Sequence, residues 1–207
     1  MEFYQFCQRY IKHWSFQEQM CFLMIFAVCT AVCSYWVYKR RITFFQMAAG
    51  LALVLFLWIV LESTIFTRKP EVRRYELVLF WSWYEVFVNR NWNLLIENVL
   101  NCILLLPMGF LLPFVFQRKI RWSTAFLAGC LVSACIESGQ LLLRRGLFEW
   151  DDMIHNGAGC MAGSSAANLV LNRLGKFFGE KKNLIDNNPI SDYNPLYEIG
   201  LKGENTA

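Results

Sequence analysis

Charge is scarce in this sequence. Asp, Glu, Lys and Arg make up only 17% of its 207 residues, against roughly 25% in a soluble globular chain. That is too little to dress the surface of a soluble domain. Recognisable catalytic signatures are also missing. There is no zinc-ligand spacing, no Gly-x-Ser-x-Gly elbow and no phosphate-binding Walker loop. No internal repeat is visible. The first apolar run has no basic leader before it and no small-residue cleavage site after it, so it reads as a retained span rather than a signal peptide.

Apolar residues are abundant. They make up 56% of the chain, and the mean hydropathy is +0.32. This excludes disorder over most of the length. Seven of the eight Cys sit inside or at the edge of apolar stretches, which suits packing better than a disulfide scaffold. The class that remains is a small polytopic membrane protein.

A helix needs about 20 apolar residues to cross roughly 30 Å of hydrocarbon. Five stretches qualify: Met20–Tyr38, Ile42–Leu61, Val99–Phe116, Ser123–Leu143 and Met153–Leu171. Pro107 and Pro113 are expected to kink the third. The fold expected is an all-α bundle of about five transmembrane helices. Residues 1–19 form an amphipathic N-terminal segment, with Phe3, Phe6, Cys7, Tyr10, Ile11 and Trp14 on one face and suited to the membrane interface. Residues 20–61 hold the first two spans, 62–172 hold an aromatic loop and three spans, and 173–207 form a partly disordered tail.

Short basic loops set orientation. Lys39, Arg40 and Arg41 follow span one, Arg118, Lys119 and Arg121 follow span three, and Arg173, Lys176, Lys181 and Lys182 open the tail. These belong in the cytoplasm, which places the N-terminus and loops 62–98 and 144–152 outside. Loop 62–98 carries its own Arg68, Lys69, Arg73, Arg74 and Arg90, but it is longer and weighs less. Its Tyr75, Phe80, Trp81, Trp83, Tyr84, Phe87 and Trp92 suit headgroup depth on the outer surface. A net charge of +4 with a basic inner side fits anionic lipid, not nucleic acid.

The informative residues are the polar ones inside the spans. Glu137, Gln140 and Arg144 are spaced i, i+3, i+7 on one helical face. Arg144 sits at the outer end, which puts Glu137 about 10 Å deeper at ~1.5 Å per residue. A carboxylate at that depth costs roughly 2.5 kcal/mol or more, so it needs a partner, a cavity or a neighbouring helix. A helix-locking hydrogen bond and a proton-handling or ligand-binding role both meet that need. Asp151 and Asp152 stand at the start of span five, where an N-cap explains them well. Asp152 and Asn156 are i, i+4 and turn inward together. Gly159, Gly163 and Ala167 continue that face as a small-residue stripe for helix packing. Asn98 and Asn101 open span three. Together these residues outline a polar pocket opening outward. Asp151, Asp152, His155 and Glu137 have ligand chemistry, but their spacing is not diagnostic, so no metal and no cofactor is expected.

The stretch ENVLNCILLLPMGFLLPF, followed by IESGQLLLRRGLFEWDDMIHNGAGCMAG, resembles the VanZ-like family. So do Thr67-Arg68 and the LFWSWYE run. The resemblance covers roughly residues 60–172. It implies family positions at Arg68, Asn101, Pro107, Gly109, Glu137, Gln140, Arg144, Asp151, Asp152, Asn156, Gly159 and Gly163. His155 looks particular to this chain. The family is named for teicoplanin resistance and has no settled biochemical activity, so the resemblance implies the cell envelope more than a reaction.

Three functions stay open. The first is a non-catalytic envelope protein whose pocket binds or shields a membrane lipid, a lipid-linked cell-wall precursor or a lipophilic glycopeptide. The second is an intramembrane enzyme on a lipid-linked substrate, with Glu137 as general base and Asp151 or Asp152 in support. The third is a proton-coupled transporter. Five spans without inverted repeats argue against it as a monomer, and a homodimer through the Gly159/Gly163 face would remove that objection.

Overall fold

The computed structural model describes the backbone from residue 16 to 183 and the side chains from 16 to 173. The amphipathic segment expected over residues 1–14 and the tail beyond 183 lie outside the described residues. The helices are α1 (Phe16–Tyr38), α2 (Phe44–Leu61), α3 (Trp81–Phe87), α4 (Trp92–Leu104), α5 (Leu106–Phe116), α6 (Trp122–Leu143) and α7 (Trp150–Asn183). Two three-residue strands, β1 (Arg74–Glu76) and β2 (Leu147–Glu149), join them.

Among the described residues, four helical stretches are long and apolar enough to cross a membrane: 16–38, 44–66, 92–116 and 122–143, with mean hydropathies from 1.6 to 2.4. The fifth expected span falls in α7, which does not reach that apolarity among the described residues. The reason is its position. α7 packs against α6, α5 and α4, so much of its surface meets protein rather than lipid. It can therefore carry His155, Asn156 and Ser164 buried. It also runs twelve residues past Leu171, to Asn183.

Glycine makes that central position attainable. A Cβ on Gly159 would lie 1.7 Å from the Cys102 carbonyl oxygen, and one on Gly163 2.0 Å from that of Leu106. Gly109 of α5 is equally tight against Cys160, at 1.9 Å. The Gly159/Gly163 face is thus filled by α4 and α5 of the same chain. The apolar core follows these contacts, with Leu105, Ala125 and Cys160 fully buried. Outward-facing Leu23, Met24, Val28, Leu127 and Leu131 remain exposed, as lipid-facing residues should.

The third expected span, from Val99, begins earlier, at Trp92, and is broken in two. Leu105 leaves helical geometry at φ −102°, ψ 7°, and Pro107 follows in the first turn of α5. Proline has no N–H to carry the helix through. The ends of the bundle are pinned differently. At one end the Thr43 hydroxyl caps α2 in a reciprocal box with Gln46, and it accepts from Gln117 at 2.6 Å. Asn168 of α7 donates to the Ile120 carbonyl at 2.8 Å and accepts from its N–H at 3.2 Å. The other end carries the polar residues.

There, α2 widens into a π-turn at Glu62–Phe66, a feature often found beside functional sites. The following segment returns as β1, which pairs in parallel with β2, Arg74 opposite Leu147 and Glu76 opposite Glu149. This small ladder was not expected from the sequence. It ties the 62–79 segment to the α6–α7 connection. The seven cysteines of the described residues are free thiols.

Candidate functional site

A cavity of about 1030 Å³ opens at the π-turn end, between the ladder, the 64–74 segment and α4. Each wall follows from a local feature. The π-turn places Thr64 on it, and α4 presents Leu94, Glu97, Asn98, Leu100, Asn101 and Leu104. That α4 face descends ten residues, or about 15 Å at 1.5 Å per residue, from Leu94 past the polar Glu97, Asn98 and Asn101 to Leu104. Arg68, Lys69, Glu71 and Arg74 come from the segment after the π-turn, Arg145, Gly146, Leu147 and Glu149 from the α6–α7 connection, and Asp152 from α7.

The residues singled out from the sequence divide into two groups. Arg68, Asn98, Asn101 and Asp152 line the cavity. The Asn101 amide donates to the Asp152 carboxylate, which joins α4 to α7. Arg68 donates to the Gln140 side-chain oxygen at 3.4 Å, so Gln140, itself buried, backs the cavity wall.

The others work behind the wall. Glu137 is 2% exposed, and its carboxylate accepts from the Glu149 N–H at 3.2 Å. It thereby fixes β2 against α6. Asn156 donates to Ser133 at 2.9 Å, and its own amide oxygen is buried with no partner. Asp151 is 1% exposed. It does not cap its own helix but accepts from the Phe80 N–H at 2.6 Å, the Ser82 N–H at 3.1 Å and the Ser82 hydroxyl at 2.6 Å. It caps α3 from across the bundle, where anions are favoured. Asn98 then donates to the same Ser82 hydroxyl at 3.2 Å. His155 accepts from the Trp83 indole at 2.9 Å and meets that ring edge-on, which anchors the aromatic segment to α7.

Arg144 is a correction. It was placed with Glu137 and Gln140 by helical spacing, but α6 ends at Leu143 and Arg144 turns to φ 59°. The helical phase is lost there. Its exposed side chain lies beside Pro70–Arg73, outside the main cavity, and its carbonyl accepts from the Glu71 N–H at 2.6 Å. The cavity guanidinium at this corner is that of Arg145, which donates to the carbonyls of Ile65 and Phe66 at 3.4 and 3.2 Å.

Sequence reasoning also missed Glu97 and Glu149, both on the cavity wall. Both lie inside the quoted stretches, at positions to which the resemblance assigned no role. Burial pushes the Glu149 carboxyl up to about 8, and the negative charges of Asp152, Glu97, Asp151 and Glu76 add to it. Among the described residues, the ion pair at this site is Arg74 with Glu71 at 2.8 Å. The cavity can hold a polar group of either sign, and no cluster of metal ligands is assembled among the described residues.

A family model described as VanZ/LLP1 matches residues 20–171. The match takes in α1 and α2, beyond the stretch that carried the resemblance in the sequence. No curated protein and no solved structure matches the chain.

Proposed function

The chain belongs to the VanZ/LLP1 family, and on that premise we propose an envelope-protective role for it. It would be a multi-pass protein of the cell membrane whose polar cavity binds or shields an envelope molecule, contributing to teicoplanin-type resistance. The observation that carries this reading is the cavity itself, about 1030 Å³ and lined by charged residues and by leucines of α4. A space of that size and polarity at the end of an apolar bundle has no role in packing.

The outward orientation rests on loop charge. Lys39, Arg40, Arg41, Arg118, Lys119 and Arg121 lie at the end opposite the cavity, where Thr43 meets Gln117. That end is the cytoplasmic one by the positive-inside rule. Of the loop cations that weigh against it, Arg68, Lys69 and Arg74 line the cavity and so have a reason of their own to be there, while Arg73 and Arg90 do not line it and sit in the longer loop, which weighs less.

The test is drug susceptibility in a Gram-positive host. Empty vector, wild type and Asp152→Asn are compared at matched membrane levels against teicoplanin and vancomycin. Protection mainly against teicoplanin, lost in the variant, is the expected result. Protection against neither drug overturns the resistance role. A membrane-impermeant maleimide on intact cells reads the orientation, and Lys69→Cys should label above the wild-type background.

A further inference from the structure

The two signs of charge in the cavity come from different segments, and among the described residues no direct ion pair joins one wall to the other. On one wall, Arg68 donates to a neutral amide and Arg145 to two backbone carbonyls. Lys69 stands beside them, exposed. On the other wall are Glu97 of α4 and Asp152 of α7; Glu149 of β2 also lines it but holds its proton up to about 8. Arg74 and Glu71 neutralise one another as an ion pair, and among the described residues no ion pair joins the remaining charges. Each wall therefore has unspent capacity. Guanidinium groups held only by neutral acceptors are suited to phosphate oxygens. Carboxylates crowded together with no direct Lys or Arg ion pair, Arg68 acting on Asp152 only through space, are suited to an ammonium group.

The leucines add a third requirement. Leu100 and Leu104, on either side of Asn101 along α4, line the cavity, and Leu100 is exposed at 57%. α4 leans on α7 and α3, while α2 leans on α5 and α1. α2 and α4 are thus not closely packed on each other, and an apolar chain leaving between them would pass the exposed Leu100.

We propose that the cavity binds an amphiphile with a zwitterionic head, its phosphate on Arg68, Lys69 and Arg145, its amine on Glu97 and Asp152, and its acyl chain leaving between α2 and α4 over Leu100 and Leu104. The proposal rests on the cavity being a binding site, as in the function proposed above, and names the chemistry of what enters. A phospholipid bearing phosphate and primary amine is the occupant it specifies.

The experiment uses the purified full chain in detergent. Binding is measured by native mass spectrometry for dihexanoyl phosphatidylethanolamine, dihexanoyl phosphatidylglycerol and chainless glycerophosphoethanolamine. The ethanolamine lipid should bind about tenfold more tightly than the glycerol lipid, and the chainless head should not bind. Glu97→Gln, at an exposed position, should lower the ethanolamine lipid's affinity and narrow its preference over the glycerol lipid. Lys69→Gln, also exposed, should weaken both. Equal binding of the two lipids by the wild type, or an unchanged preference in Glu97→Gln, overturns the zwitterion assignment and leaves the binding site standing. Tight binding of the chainless head overturns the lateral path. No binding of any of the three overturns the binding-site reading itself. Unchanged melting temperatures of both variants confirm that they are folded.

Discussion

Replacing Asp151 should unlock α3, while replacing its neighbour Asp152 should not. Asp151 accepts three hydrogen bonds, from the N–H groups of Phe80 and Ser82 and from the Ser82 hydroxyl. Ser82 is fully buried, so water cannot replace the lost acceptor at its N–H. A stranded buried donor costs about 1–3 kcal/mol, and hydrogen bonds to a charged acceptor contribute about 1.5–3 kcal/mol each. The Phe80 N–H is better placed to find water. Phe80 is also held at φ 62°, a conformation that disfavours a non-glycine residue by about 1–2 kcal/mol and is retained only while its amide is anchored. Asp151→Ala should therefore lose about 3 kcal/mol, or about 6–12 °C in melting temperature for a chain of this length. Asp151→Asn keeps the shape but retains one acceptor oxygen, so its loss should be intermediate. The assay pairs thermal unfolding in detergent with hydrogen exchange, and protection should fall over residues 80–87. Asp152→Asn should leave both readings near wild type. A melting temperature for Asp151→Ala within error of wild type, with exchange over 80–87 unchanged, would refute the capping argument.

Three more outcomes are specific to this structure. Gly159→Leu and Gly163→Val should abolish folded protein in the membrane fraction, because their Cβ atoms would overlap carbonyl oxygens at 1.7 and 2.0 Å. Gly50→Ala, which meets nothing within 4 Å, should be neutral on a gel of detergent-stable protein. Stability should fall as pH rises. Glu149 holds its proton up to about 8 in the fold but only to about 4.3 when unfolded, so the folded state binds more protons between those values. Melting curves taken from pH 5 to 8 should show this fall, and Glu149→Gln should flatten it; an unchanged slope in that variant would sink the assignment. Arg144→Gly should be neutral or stabilising by up to about 1 kcal/mol, because Arg144 sits at φ 59°, where glycine carries no steric penalty. Lipid binding should be unaffected in Arg144→Gly and reduced in Arg145→Gln, and the reverse order would restore Arg144 to the site.

The spans were legible because apolar length is a strong signal and nothing competes with it. α1, α2 and α6 have the extents that hydropathy implies, to within a few residues. α7 was harder, because a helix surrounded by protein is free to be polar, and its polar residues erode the signal that identifies a span. The β1–β2 ladder was not legible at all. Three-residue strands carry no periodicity, and their pairing joins residues more than seventy apart in sequence. The candidate site was legible as a set of polar residues at one end of the bundle. Its internal division was not, and Arg144 shows the reason. Helical spacing assigns a face only while the helix lasts, and α6 ends one residue too soon.

The two aspartates make the same point about chemistry. Successive helix residues point about 100° apart. Asp151 and Asp152 share a sequence motif and a helix turn, yet one reaches across to α3 and the other faces the cavity. The first is saturated by three donors, while the second accepts from Asn101 beside open space. Glu137 falls with the first, since its carboxylate takes the Glu149 N–H and sits behind the wall rather than on it. A buried acid in a span is thus no guide to chemistry until its acceptor capacity is accounted for. By that measure Asp152, Glu149 and Glu97 are the acids with something left to offer a ligand. Glu137→Gln should therefore loosen β2 and lower stability at least as much as it affects binding, whereas Glu97→Gln should affect binding alone.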